Sequence, residues 1–283
     1  MAQNDALVGG EGADKLFGMA GHDYLAGEDG ADSLKGNSGD DELFGNAGFD
    51  RLSGGKNNDR LSGGTGDDTL DGNSGDDILS GNSGYDDLTG SSGNDVLDGG
   101  AGHDALSGGW GSDSLEGGKG ADVLQGGDGG DKLKSGSGDD TLDGGTGEDY
   151  LNGWKGDDTL DGGAGDDRLY LGAGDDIATG GAGSDRFVFR SGDLDGGADM
   201  ITDFTRSGAE QDRLDLRQLE LLSDGMSADE WVATHVRAGA DGAVTMDLAD
   251  ISLTFAARAE DDVSALFADV VDGLMFVWNL AGR

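Results

Sequence analysis

Twenty times in succession, from Gly9 to Val188, the chain repeats one nine-residue pattern without insertion or deletion. Written in lines of nine it begins GGEGADKLF, GMAGHDYLA, GEDGADSLK, GNSGDDELF and ends GGAGSDRFV. Position six is aspartate in all twenty lines, and position eight is leucine in eighteen, with Ala178 and Phe187 as the exceptions. Position four is glycine in nineteen, Asn57 being the substitute, and position one is glycine in eighteen, where Ser135 and Leu171 depart. Position two is mostly Gly or Asn. A fixed period of this kind marks a solenoid, because no single unit can bury its apolar face and neighbours must stack to do so.

The spacing within a line gives the path of the chain. Six residues, G-G-x-G-x-D, form a turn built from the two residue types that reach left-handed backbone most cheaply. Three residues, x-L-x, form a very short strand whose middle side chain points inward. Two lines, 18 residues, bring the chain once around. The expected fold class is therefore all-β: a right-handed parallel β-roll, a β-solenoid of about ten coils. At ~4.8 Å per coil it is a rod about 48 Å long with leucines between two sheets. A small mixed α/β C-terminal cap is expected to close it.

Charge says what such a rod needs. The chain carries 59 acids against 18 bases, a formal net charge of −41. Nucleic acid is excluded as a partner by sign, an anionic membrane surface is disfavoured, and cations are favoured. One buried leucine per nine glycine-rich residues does not offset the ordering of nine backbones, and the acids repel one another. Something must bind the turns. Line n lies beside line n+2, so Asp68 stacks with Asp86 and Asp77 with Asp95. Between stacked turns lie carboxylates and glycine carbonyls. Cysteine is absent, which removes disulfides and thiolate sites, and only three histidines exist. A set of hard oxygens selects Ca²⁺, which accepts 6–8 of them in flexible geometry. Residues 1–188 hold 40 acids and 11 bases, a net of −29. About 18 gaps filled with one Ca²⁺ each add roughly 36 positive charges, which brings the rod near neutrality.

The candidate metal ligands are the twenty position-six carboxylates: Asp14, Asp23, Asp32, Asp41, Asp50, Asp59, Asp68, Asp77, Asp86, Asp95, Asp104, Asp113, Asp122, Asp131, Asp140, Asp149, Asp158, Asp167, Asp176 and Asp185. The motif G-G-x-G-x-D-x-L-x that contains them resembles the nonapeptide of the RTX (repeats-in-toxin) family of calcium-stapled parallel β-rolls, over about two thirds of the chain. The resemblance implies that carbonyls of positions one and three with the Asp face one ion, and those of positions two and four with the same Asp face the next. Carried onto this chain, Gly63, Thr65 and Asp68 hold one ion, and Gly64, Gly66 and Asp68 another. The matching sets are Gly99, Gly100, Ala101 and Gly102 with Asp104, Gly144, Gly145, Thr146 and Gly147 with Asp149, and Gly162, Gly163, Ala164 and Gly165 with Asp167. Which neighbouring coil each set faces stays open in the sequence. Met19, Glu28, Ser91 and Trp154 at position two, and Leu171 at position one, are expected to strain their turns and weaken the sites near lines two, three and seventeen to nineteen. The second acid at position five (Asp40, Asp67, Asp76, Asp139, Asp157, Asp166 and Asp175) reads as a solvated charge rather than an outer ligand.

Two regions follow: 1–188, the roll, and 189–283, a cap. In the second, short strands are expected at 186–190 and 199–204, helices at 213–221, 227–236 and 261–271, a hairpin at 243–256 and a terminal strand at 274–279. An open roll needs its last coil covered. FVFRSGDLDGGADMITDF also resembles the segment after the repeats in exported RTX proteins, which implies a C-terminal signal for a type I exporter. The N-terminus, MAQNDALVGGEGADKLFG, has neither basic nor apolar signal-peptide regions. No HExxH or GxSxG motif occurs, and His22, His103 and His235 stand alone, so no enzymatic activity is expected. The aromatic residues fall at different repeat positions, so no carbohydrate-binding or ice-binding stripe is expected. The leading expectation is a secreted bacterial calcium-binding protein that folds on extracellular calcium after export. The alternatives are a detached export and folding module of a larger protease, lipase or alginate epimerase, and a surface, biofilm or nodulation-protein-like interaction protein. Membrane association has no supporting segment.

Overall fold

The computed structural model describes residues 3–190, 198–204, 211–218, 236–238, 244–248 and 251–255. Each repeat contributes one strand and the residues before Gly9 start one more, giving β1 (Ala6–Glu11), β2 (Lys15–Phe17) and β3 (Tyr24–Asp29) through to β20 (Ile177–Ala182) and β21 (Arg186–Arg190). Odd strands form one sheet and even strands the other. Within the repeats every pairing is parallel with partners 18 residues apart, as in Arg60↔Ile78 and Leu61↔Leu79. The period thus sets the register directly: a slip of one residue would turn every leucine outward.

Most repeat strands are twice as long as the x-L-x reading predicts. β7 (Arg60–Thr65) runs through positions seven to nine and on through positions one to three of the next line. Its burial alternates, so both Leu61 and Gly63 face inward. Leucines from Leu25 to Leu169 form one continuous buried column, extended by Leu171, Ala178, Phe187, Phe189, Ile201 and Phe204. The inward position-one residue is glycine because its missing side chain leaves room for an aspartate. A methyl built at Gly63 collides with the Oδ2 of Asp68, five residues on.

Past the repeats, β22 (Met200–Ile201) adds to the even sheet and β23 (Arg213–Gln218) to the odd one. The helix expected at 213–221 is thus corrected over 213–218. RLDLRQ by itself has period-two apolar spacing, and helical spacing enters only with Leu219 and Leu221 of the sequence beyond it; pairing Leu214 beside Phe187 places it against the leucine column. The hairpin expected at 243–256 is present as β25 (Val244–Leu248) and β26 (Ile251–Phe255), paired antiparallel. β26 lies parallel to β22, and β24 (Val236–Ala238) lies antiparallel to β25 at the outer edge. Among the described residues there is no helix. The helix at 261–271, the strand at 274–279 and nearly all of the helix at 227–236 fall outside them.

All position-two residues that are not glycine sit in left-handed backbone, including Met19 (φ 79°), Glu28 (77°), Ser91 (80°) and Trp154 (71°). For residues other than Gly or Asn that conformation costs roughly 1–2 kcal/mol. Trp154 is exposed, so little packing offsets the strain. Trp154→Gly is expected to stabilise the folded protein by about 1 kcal/mol after the extra freedom of glycine in the unfolded chain is counted. A thermal melt in saturating calcium checks this, and an unchanged or lower midpoint contradicts it.

Candidate metal centre

Each turn folds its aspartate inward. Asp68 is 2 % exposed, although nothing about a lone carboxylate favours burial. One of its oxygens has a structural use: Asp68 Oδ1 accepts the backbone N–H of Asp50, one coil earlier, at 2.8 Å. Asp86 Oδ1 accepts that of Asp68 at 2.8 Å, and the same rung recurs along both columns of turns.

The columns reach beyond the repeats. Asp5 donates its N–H to Asp23 Oδ1 at 2.7 Å. At the other end Asp199 Oδ1 accepts from Asp176, and Asp212 Oδ1 from Asp185, at 3.1 and 3.0 Å. These three residues are not among the sequence candidates, because the glycine turn that marks the others is missing around them. A weaker signal is present in D-A-L, D-M-I and D-R-L, where the aspartate and inward aliphatic keep their spacing.

The other oxygen is orphaned. From Asp14 to Asp185, the position-six Oδ2 atoms are buried and accept no hydrogen bond among the described residues. Buried polar atoms are nearly always paired, and burying charge without a partner costs several kcal/mol or more. Burial is the main cause that pushes Asp59, Asp68, Asp77 and Asp167 up to about 7 and Asp158 up to about 8, opposed by the backbone N–H each carboxylate accepts and helped by neighbouring acids. Asp86, Asp95, Asp104, Asp131, Asp140 and Asp185 are pushed up to about 6 for the same leading reason.

Carbonyl orientation completes the donor set. Consider the gap between the turns of Asp50 and Asp68. A methyl at Gly64 would strike the Asn46 carbonyl oxygen, and one at Gly66 the Gly48 oxygen, so positions two and four of the lower turn point up. A methyl at Gly45 would strike the Gly63 oxygen, and the Thr65 oxygen accepts from Gly48 N–H at 2.8 Å, so positions one and three of the upper turn point down. The Gly48 oxygen accepts no hydrogen bond among the described residues. The neighbour left open by the sequence is thereby assigned. Gly64 and Gly66 face the following coil, Gly63 and Thr65 the preceding one, and the sets at Asp104, Asp149 and Asp167 repeat the arrangement. Among the described residues no three carboxylate or imidazole side chains converge. A cation in the gap would therefore be held largely by backbone oxygens. Oxygen donors alone, with orphaned carboxylates, fit Ca²⁺.

Two turns differ. At position one Ser135 is buried, and its hydroxyl donates to the Gly153 oxygen at 2.5 Å. Leu171 is fully buried in the leucine column. The position-five acids are exposed but not idle. Asp67 Oδ1 accepts from Tyr85 N–H at 2.9 Å and Asp76 Oδ1 from Asn94 N–H at 2.8 Å, in the opposite sense to the inner rungs. His22 and His103 fill the same place, Nδ1 accepting from Asp40 N–H at 3.0 Å and Ala121 N–H at 2.6 Å. His235 lies outside the described residues.

The raised carboxylates fix a pH dependence. Folded-state values above the unfolded value of about 3.9 mean that the metal-free roll takes up protons on folding. That stabilisation is complete below pH ~4 and is lost as pH rises through about 6 to 8. Far-UV circular dichroism of metal-stripped protein is expected to show more β-structure at pH 5 than at pH 8. Equal spectra would contradict the assignment.

Residues 2–193 match the RTX calcium-binding nonapeptide repeat without interruption, and no curated protein matches the chain. The matched stretch is the two-sheet roll itself, and its invariant aspartates are the buried ladder. The chain belongs to the RTX calcium-binding nonapeptide-repeat family.

Proposed function

We propose that this is a secreted bacterial calcium-binding protein with no catalytic activity, exported as an open chain by a type I exporter and folded by extracellular calcium. The observation that carries the reading is the set of twenty orphaned Oδ2 atoms. A fold that buries so many uncompensated carboxylate oxygens is held open by them until a cation arrives. Ions that bind only the folded form stabilise it by RT ln(1 + [L]/Kd) per independent site. Sites in series along one rod make the response steep. With one ion per gap the rod takes about 18, fewer where Leu171, Met19, Glu28 and Trp154 interrupt the motif.

Circular dichroism at pH 8 against a calcium titration tests the proposal. The spectrum is expected to pass steeply from disordered to β-rich, and a β-rich spectrum in excess EGTA would overturn it. A paired substitution separates inner from outer acids. Asp95→Asn keeps an oxygen for the Asp77 rung but removes the charge, and is expected to raise the calcium midpoint and lower the stoichiometry by one or two ions, since each carboxylate borders two gaps. Asp76→Asn is expected to leave the stoichiometry unchanged by isothermal titration calorimetry.

A further inference from the structure

Glycine holds position one without exception in one column of turns, from Gly18 to Gly180; the other column departs from it at Ser135 and Leu171. The regular turns show what a side chain there meets. A methyl at Gly126 would strike Asp131 Oδ2 of its own turn and the Gly144 oxygen of the turn stacked on it. One at Gly144 would strike Asp149 Oδ2 and the Gly162 oxygen. Both oxygens border the gap between the stacked turns. A side chain at position one therefore enters the space on which the cation donors converge.

Leu171 lies in the leucine column, but Ser135 brings a polar atom into that space. It is fully buried, and its hydroxyl donates to the Gly153 oxygen at 2.5 Å. Otherwise the gap is built like the rest. Asp158 Oδ1 accepts Asp140 N–H at 2.9 Å, and the Lys155 oxygen accepts Gly138 N–H at 2.9 Å. Calcium keeps its oxygen ligands at about 2.3–2.6 Å. The Ser135 Oγ thus stands from the Gly153 carbonyl at an ion's own distance, and the lone pair that would face a cation takes a proton. We propose that this hydroxyl takes the place of the ion between the turns of Asp140 and Asp158, so that one gap of the roll is closed without metal. Asp140 still borders the gap before it and Asp158 the gap after it, so each carboxylate keeps one cation. The inference rests on the calcium reading and deepens it: the two columns of turns take unequal numbers of ions.

Native mass spectrometry of the calcium-saturated protein counts bound ions one by one. Ser135→Gly is expected to hold one ion more than the parent. Gly144→Ser, which moves the hydroxyl to the other column, is expected to hold one fewer; neither residue has a positive φ, so the backbone accepts both changes. Circular dichroism in the same buffer reads whether each variant folds. Ser135→Gly restores the residue that regular turns carry, so its count decides the matter even if Gly144→Ser fails to fold. Equal counts in Ser135→Gly and the parent, or an unchanged count in folded Gly144→Ser, overturn the proposal. A parent that binds no calcium overturns the reading beneath it instead.

Discussion

A carboxylate with two unequal oxygens organises this molecule. One oxygen of each position-six aspartate takes a backbone N–H from the coil before it and so locks the stack; the other is buried with no hydrogen bond to it among the described residues. Nearly everything else in the repeat serves that placement. Position one is glycine so that the carboxylate can enter. Positions two and four are left-handed, which aims their carbonyl oxygens along the stack toward the next turn. Position eight supplies the only large buried apolar side chain in most repeats, and its column is too thin to hold ten coils by itself.

This division of labour links charge to dynamics. Without a cation the protein must either protonate its buried ladder or leave it in water, and near neutral pH water is the better solvent for a carboxylate. On the proposed reading, calcium would remove the electrostatic cost and add the missing ligand to each orphaned oxygen at once, making folding and binding one event. The outer acids take a different share: Asp67 and Asp76 tie adjacent turns at the surface while remaining in water.

Much of this was legible in the sequence, because a strict period turns local chemistry into geometry. The stacking partners, the leucine column and the inner acids follow from counting nine. What escaped was whatever the period does not encode. Strand length escaped because glycine carries no pattern, although its backbone continues the ladder through positions one to three. Asp5, Asp199 and Asp212 escaped because they keep the rung without the glycine turn. Residues 213–221 read as helix because Leu219 and Leu221 extend the leucines of R-L-D-L-R-Q to helical spacing, while 213–218 alone alternate as a strand and pair at the open edge of the last odd coil. In the sequence position five reads as a plain surface charge, since a hydrogen bond to a backbone 18 residues away leaves no local trace.

The central claim is that cations occupy the gaps between stacked turns, held by the orphaned Oδ2 atoms and inward-aimed carbonyls. Crystals grown in calcium and measured at a wavelength where calcium scatters anomalously test it most directly. The account predicts a row of anomalous peaks along each column of turns, one per regular gap, each within bonding distance of a position-six carboxylate and of carbonyls from both coils. Gaps without peaks throughout the regular repeats, or peaks gathered at the exposed position-five acids, would contradict it.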